Sequence, residues 1–135
     1  MIYVHNTMGD KKEPFKPEKK GIVRMYVCGP TVYGPAHIGH ARTYIAFDII
    51  RRYLEWKGYN VKLVINITDV HDDMIARANE LNTTIFELAD KFIKKFFADM
   101  KALKVKEASV YPRVTQEIEP IIETIKILED KGYAY

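Results

Sequence analysis

The side chains best equipped for chemistry lie in one stretch, Met25 to His40. It holds the chain's single cysteine, Cys28, then Gly29, Pro30, Thr31, Gly34 and Pro35, and it ends on His37 and His40 with Gly39 between them. Met25-Tyr26-Val27 reads as the end of an apolar strand, the Gly- and Pro-rich run as a turn, and the residues from about His40 as the start of an amphipathic helix. α/β folds bind phosphate at such junctions, because the first backbone N–H groups of a helix are unpaired and its dipole favours negative charge. The turn is neither a G-x-x-x-x-G-K-[ST] phosphate loop nor a G-x-G-x-x-G dinucleotide turn. Instead, two histidines three residues apart share one helical face. Imidazole N–H groups there can bond phosphate oxygens whose charge rises during phosphoryl or nucleotidyl transfer. Gly39, lacking a side chain, would let a flat ring lie against the backbone. Taken alone, such a pair is more often a capping residue and a solvated histidine, and a lone cysteine is more often an inert small hydrophobe.

The elements around this stretch predict an α/β fold. Ile2 to His5 reads as a short strand. Asn6 to Lys20 reads as a lysine-rich loop broken by Pro14 and Pro17 and packed through Phe15. Ile22 to Val27 is too continuously apolar for a half-wet sheet and predicts a buried parallel strand. The helix to Lys57 carries Ala41, Ile45, Ile49, Tyr53 and Trp56 on one stripe, with Gly58 as its stop. Val61 to Thr68 predicts a second strand, parallel to the first through a right-handed crossover. The result is a Rossmann-like parallel sheet with ligand sites at the carboxyl ends of its strands, near Cys28 and near Thr68 and Asp69. A helix with Met74, Ile75 and Ala78 inward follows. Thr84 and Glu87 then form a capping box that opens a helix to about Leu103, with Ala89, Phe92, Ile93, Phe96, Met100 and Leu103 as core. Tyr111-Pro112-Arg113 interrupts. Thr115 starts a last helix with Ile118, Ile122, Ile125 and Leu128 inward, Gly132 closes it, and Tyr133-Ala134-Tyr135 resembles the opening of another strand.

With 135 residues, 47% hydrophobic and 29% charged, the chain has the composition of one globular domain. No apolar run is long enough to span a bilayer, the first residues lack a signal-peptide pattern, and one cysteine allows no internal disulfide. A cytoplasmic location is the expectation. A net charge of +3 permits a nucleic-acid partner without arguing for one, and Lys94, Lys95, Lys101, Lys104 and Lys106 read as a solvated helix face.

His37-Ile38-Gly39-His40 after a strand resembles the HIGH signature of class I aminoacyl-tRNA synthetases. Joined to Met25-Tyr-Val-Cys-Gly-Pro-Thr-Val-Tyr-Gly34, Ala41-Arg42-Thr43-Tyr44 and Asn66-Ile67-Thr68-Asp69, it resembles the cysteinyl-tRNA synthetase family over essentially the whole chain. The resemblance implies cysteine activation with ATP and Mg2+, then transfer to tRNA-Cys. It places the triphosphate on His37 and His40, the adenine against Gly39, and the amino-acid pocket along Gly29, Thr31 and Thr68. Cys28 becomes a ligand to Zn2+, with a second cysteine, a histidine and a glutamate supplied from beyond residue 135. Such a zinc binds the substrate thiolate and would reject serine without editing. A local Cys28–His37–His40 zinc site is the alternative use of these residues. Asp69 would meet the substrate ammonium or cap the next helix. His71-Asp72-Asp73 departs from the Asp-Asp-Lys of many relatives, so no role passes to Asp73, and His71 reads as a helix cap or, less simply, a metal ligand. The Lys-Met-Ser-Lys-Ser signature is absent. The chain is therefore expected to be the N-terminal part of a longer catalytic domain and inactive alone. An ATP-dependent cysteine ligase with a small aminosugar acceptor, as in mycothiol synthesis, and a non-catalytic nucleotide- or tRNA-binding fragment are the other readings.

Overall fold

A computed structural model describes residues 1–135. β1 (Tyr3–Asn6) and β2 (Lys11–Pro14) form an antiparallel hairpin, with Tyr3 opposite Pro14 and Asn6 opposite Lys11. This corrects the loop expected across residues 6–20. Asn6 builds the turn: its Oδ1 accepts from the Met8 N–H at 3.1 Å and its carbonyl from the Gly9 N–H at 3.2 Å. Asp10 then takes a left-handed φ of 45°, which Asp tolerates.

β3 (Ile22–Val27) pairs with β4 (Asn60–Ile65) in parallel, from Ile22 opposite Asn60 to Val27 opposite Ile65. The crossover is α1 (Ile38–Trp56), as expected, although the helix starts two residues before His40. Pairing resumes beyond Gly29, where the Thr68 N–H donates to the Pro30 carbonyl at 3.0 Å and the Val32 N–H to the Thr68 carbonyl at 3.2 Å. On the other side of β4, residues 109–114 run parallel to it. The Ser109 N–H donates to Leu63 at 2.7 Å, and the carbonyls of Val110 and Pro112 accept from Ile65 at 3.2 Å and Ile67 at 2.8 Å. The expected interruption at Tyr111-Pro112-Arg113 lies between helices, as anticipated, and touches the edge of β4 through two isolated bridges, Val110 to Val64 and Arg113 to Ile67. Pro112 has no N–H, and it sits at the edge position where its carbonyl alone is needed.

α2 (Asp72–Glu80) and α3 (Ile85–Ala102) cover this sheet. Ile67 and Met74 are fully buried, and Val27, Val32, Tyr44, Leu63, Ile65, Ala89, Ile93, Phe96 and Met100 complete the cluster. The Thr84–Glu87 capping box is present, with reciprocal hydrogen bonds of 3.2 Å. Ile75 and Leu103, expected inward, are exposed.

α1 turns a different face to the sheet from the one its periodicity suggested. Tyr44, Asp48 and Leu54 are buried, whereas Ile45, Ile49, Tyr53 and Trp56 are exposed. Asp48 hid the packed face from a count of apolar residues. Its Oδ2 accepts from Arg52 Nε at 2.6 Å and its Oδ1 from the Lys106 N–H at 3.2 Å. Arg52 and Arg51 reach on to the carbonyls of Lys104, at 2.8 Å, and Glu107, at 2.5 Å. Lys106 pairs with Glu55 at 2.5 Å, and Lys106 with Arg51 holds that carboxyl below its usual range. These polar ties hold α1 to residues 104–107, just before the segment that bridges to β4.

A 3₁₀ turn (Val114–Gln116) leads into α4 (Ile118–Asp130). Thr115 lies in the turn, and none of Ile118, Ile122, Ile125 and Leu128 is buried, against expectation. The amphipathic pattern marks a face suited to burial, but no residue of α4 is buried, and among the elements its main contact is the turn before it. Tyr133-Ala134-Tyr135 forms no strand. No helix is long and apolar enough to cross a membrane.

Candidate active site

His37 is the N-cap of α1, in extended backbone. Its Nδ1 accepts from the Gly39 N–H at 3.0 Å, and the His40 Nδ1 accepts from the His37 N–H at 3.2 Å. The rings lie 4.1 Å apart between centroids. Together they form a capping box built from two histidines. Capping and ligand binding were alternatives on the sequence, yet the geometry allows both. With each Nδ1 an acceptor, the ring proton sits on Nε2, which is left free to donate. Burial, then the neighbouring His37 ring, lowers the His40 pKa below its ordinary value, which favours the neutral form. Gly39 suits this cap: a Cβ there would lie 2.8 Å from Cε1 of the His37 ring, so any other residue would push that ring aside.

The strand ends gather the remaining predicted residues. Thr31 bridges to Thr68 in parallel register, both half-buried. Gly29 sits where a Cβ would meet the Asn66 carbonyl oxygen at 1.4 Å, so a close backbone approach selects glycine. Cys28 is exposed at the carboxyl end of β3, and the only hydrogen-bond contact of its Sγ is the Gly29 carbonyl at 3.8 Å. Its exposure and position suit a single thiolate ligand. No three His, Cys, Asp or Glu side chains converge anywhere in the chain, so the local Cys28–His37–His40 zinc site is not assembled.

Asp69 does not cap α2 and is not exposed. It is buried, accepting from the Thr115 N–H at 3.0 Å and the Thr115 hydroxyl at 2.7 Å, and so ties β4 to the 3₁₀ turn. The α2 cap is His71, whose Nδ1 accepts from the Asp73 N–H at 3.3 Å.

Two residues with no role in the sequence reading prove central. Tyr44 donates its hydroxyl to the Cys28 carbonyl at 3.3 Å, and burial pushes that phenol well above its ordinary pKa, keeping the donor protonated. Asn66 accepts from the Gly29 N–H at 2.8 Å and from the Tyr26 hydroxyl at 2.8 Å, and donates to the Thr68 Oγ1 at 3.1 Å. The available signals were a tyrosine one helical turn after His40 and a polar amide interrupting an apolar strand end.

A parallel strand, a glycine turn and a helix start that offers hydrogen-bond donors are the parts of an α/β catalytic domain of the class I synthetase kind. The family model for the class I (C) tRNA synthetase catalytic domain matches residues 14–135. The chain belongs to this family, the class I synthetases of cysteine type. A cysteine–tRNA ligase of Thermococcus kodakarensis is 62% identical over 134 residues, which are 99% of this chain and 28% of that protein. One from Pyrococcus furiosus is 60% identical over 135 residues, all of this chain and 28% of that protein. One from Staphylococcus carnosus is 53% identical over 135 residues, all of this chain and 29% of that protein. The chain thus spans a little over a quarter of the length of these relatives.

Proposed function

We propose that this chain is the N-terminal part of a cysteine–tRNA ligase catalytic domain and that its ATP half-site is the start of α1. The observation that carries this reading is the reciprocal histidine cap, which spends both Nδ1 atoms on the backbone and leaves both Nε2–H groups as donors. In the complete enzyme the cysteine carboxylate attacks the α-phosphate of Mg-ATP, the α-phosphate–oxygen bond to pyrophosphate breaks, and cysteinyl-adenylate forms. The terminal adenosine hydroxyl of tRNA-Cys then takes the cysteinyl group and AMP leaves. His37 and His40 bond triphosphate oxygens as negative charge shifts toward the leaving group. Each Nε2–H is a donor aimed by the cap that holds its ring. The helix dipole adds to this, and Gly39 leaves the backbone open to the adenine.

Gly29, Thr31 and Thr68 wall the amino-acid pocket. Thr68 already accepts one hydrogen bond from Asn66, so its own proton and a second lone pair remain for the substrate. Cys28 would hold the zinc, with the remaining ligands coming from other parts of the full-length protein. When bound, the metal supplies a thiolate-selective site for the substrate sulfur, which separates cysteine from serine. A cytoplasmic location accompanies this role.

The test is cysteine-dependent ATP–pyrophosphate exchange by the full-length protein that carries this sequence, with serine as control. Exchange with cysteine alone is expected, and none from the 135-residue chain by itself. No exchange from the full-length protein, with zinc and magnesium supplied, overturns the reading and leaves a nucleotide-binding fragment. Exchange with cysteine but transfer to an aminosugar rather than to tRNA overturns the acceptor.

A further inference from the structure

The peptide joining Cys28 to Gly29 is gripped from both sides. Its carbonyl accepts from the Tyr44 hydroxyl, and its N–H donates to Asn66 Oδ1. Tyr44 comes from α1, one turn after His40, and its buried ring packs edge-on against Phe96 with 5.2 Å between centroids. Asn66 follows β4, and its other bonds, to Tyr26 and Thr68, hold the amide in one orientation.

We propose that Tyr44 and Asn66 are positioning residues that aim the Cys28 thiol. The inference rests on the reading of Cys28 as a metal ligand in a cysteine-activating site. A peptide unit is rigid and planar, so bonds at both its carbonyl and its N–H leave it no rotation. Fixing that plane fixes ψ of Cys28. A side chain chooses among staggered wells whose directions follow the backbone. Cys28 is exposed and has only a weak sulfur contact, so no packing aims it, and the backbone is the one element that can. The clamp also joins two half-sites. Its Tyr44 arm stands on the helix that carries the histidine pair, and its Asn66 arm holds the Thr68 hydroxyl. Displacing either arm would turn the thiol away without touching the phosphate donors.

The experiment uses the full-length protein. Tyr44→Phe removes one oxygen and keeps the ring on Phe96, while Asn66→Ala removes the opposite hold. Tyr111→Phe is the control: its hydroxyl accepts from the Ala108 N–H at 2.8 Å and holds no part of this turn. Zinc affinity by chelator competition and KM for cysteine and for ATP in pyrophosphate exchange are measured on each. Tyr44→Phe and Asn66→Ala are expected to weaken zinc binding and raise KM for cysteine, each about tenfold or more, as loss of a group supporting a metal ligand does. KM for ATP should stay at the wild-type value, and Tyr111→Phe should change neither constant. If both variants follow Tyr111→Phe in zinc affinity and in KM for cysteine, the clamp is overturned. If one variant fails to fold, the other decides. If the wild-type protein shows no cysteine-dependent exchange, the functional reading fails by itself, and the zinc affinities still decide whether the clamp aims Cys28.

Discussion

Replacing Gly29 with alanine tests the tightest contact at the site. The added Cβ would lie 1.4 Å from the Asn66 carbonyl oxygen and 2.5 Å from its carbon, and both are backbone atoms that no rotamer change can move aside. To reach ordinary contact at 3.4 Å, the ends of β3 and β4 must part by about 2 Å. Three hydrogen bonds do not survive that separation: Gly29 N–H to Asn66 Oδ1 at 2.8 Å, Thr68 N–H to Pro30 at 3.0 Å, and Val32 N–H to Thr68 at 3.2 Å. At about 1 kcal/mol each they contribute roughly 3 kcal/mol. Overpacking adds about 1–3 kcal/mol. The expected cost is therefore about 4–6 kcal/mol, a large part of the stability of an ordinary domain. Gly34→Ala is the internal control, because nothing lies within 4 Å of a Cβ there and its backbone is not left-handed. The assay is native-state hydrogen exchange of the Val32 and Thr68 amides in the full-length protein. A loss of about 4 kcal/mol lowers protection roughly a thousandfold, at 1.4 kcal/mol per decade. Gly34→Ala should change it by less than about threefold, as a surface substitution does. Protection in Gly29→Ala within tenfold of wild type would show that the strand ends yield easily and refute the close-approach argument.

His37→Asn separates capping from phosphate binding. Asn is among the best N-caps, so the melting temperature should hold, while loss of the Nε2–H donor should lower exchange by about 10²–10³. Unchanged exchange would remove His37 from the ATP site. The His40 pKa is lowered in the folded state, so the folded protein resists its protonation. The stability this contributes is present above the unfolded value of about 6.5 and is lost as pH falls through it toward the lowered folded value. An NMR titration of the imidazole nitrogens should place the His40 midpoint below 6.5 with the neutral proton on Nε2. A midpoint at or above 6.5, or a proton on Nδ1, contradicts the cap geometry.

Much of this site was legible in the sequence because local signals carry it. A strand, a Gly/Pro turn and His37-x-x-His40 require only neighbours along the chain, and so does the Thr84–Glu87 capping box. The alternation between apolar strand and amphipathic helix likewise determined the parallel β3–α1–β4 unit, since a crossover of this length has one sensible hand. Contacts between distant residues were not legible. The packed face of α1 carries Asp48 beside Tyr44 and Leu54, so it is less apolar than the exposed one, and the bonds of Asp48, Arg51 and Arg52 to residues 104–107 help hold it inward. Residues 109–114 lack a strand pattern and still bridge to β4, because β4 offers them an open edge. Asp69 read as a substrate ammonium partner or a helix cap, but its partner Thr115 lies 46 residues away. The sequence alone thus determined which chemistry is present, the histidine donors and the cysteine thiol, because residue type and local spacing set it. The tertiary structure alone decided how that chemistry is held. Tyr44 and Asn66 meet the Cys28–Gly29 peptide from segments 16 and 37 residues away, and only chain folding brings such donors and acceptors within 3.3 Å.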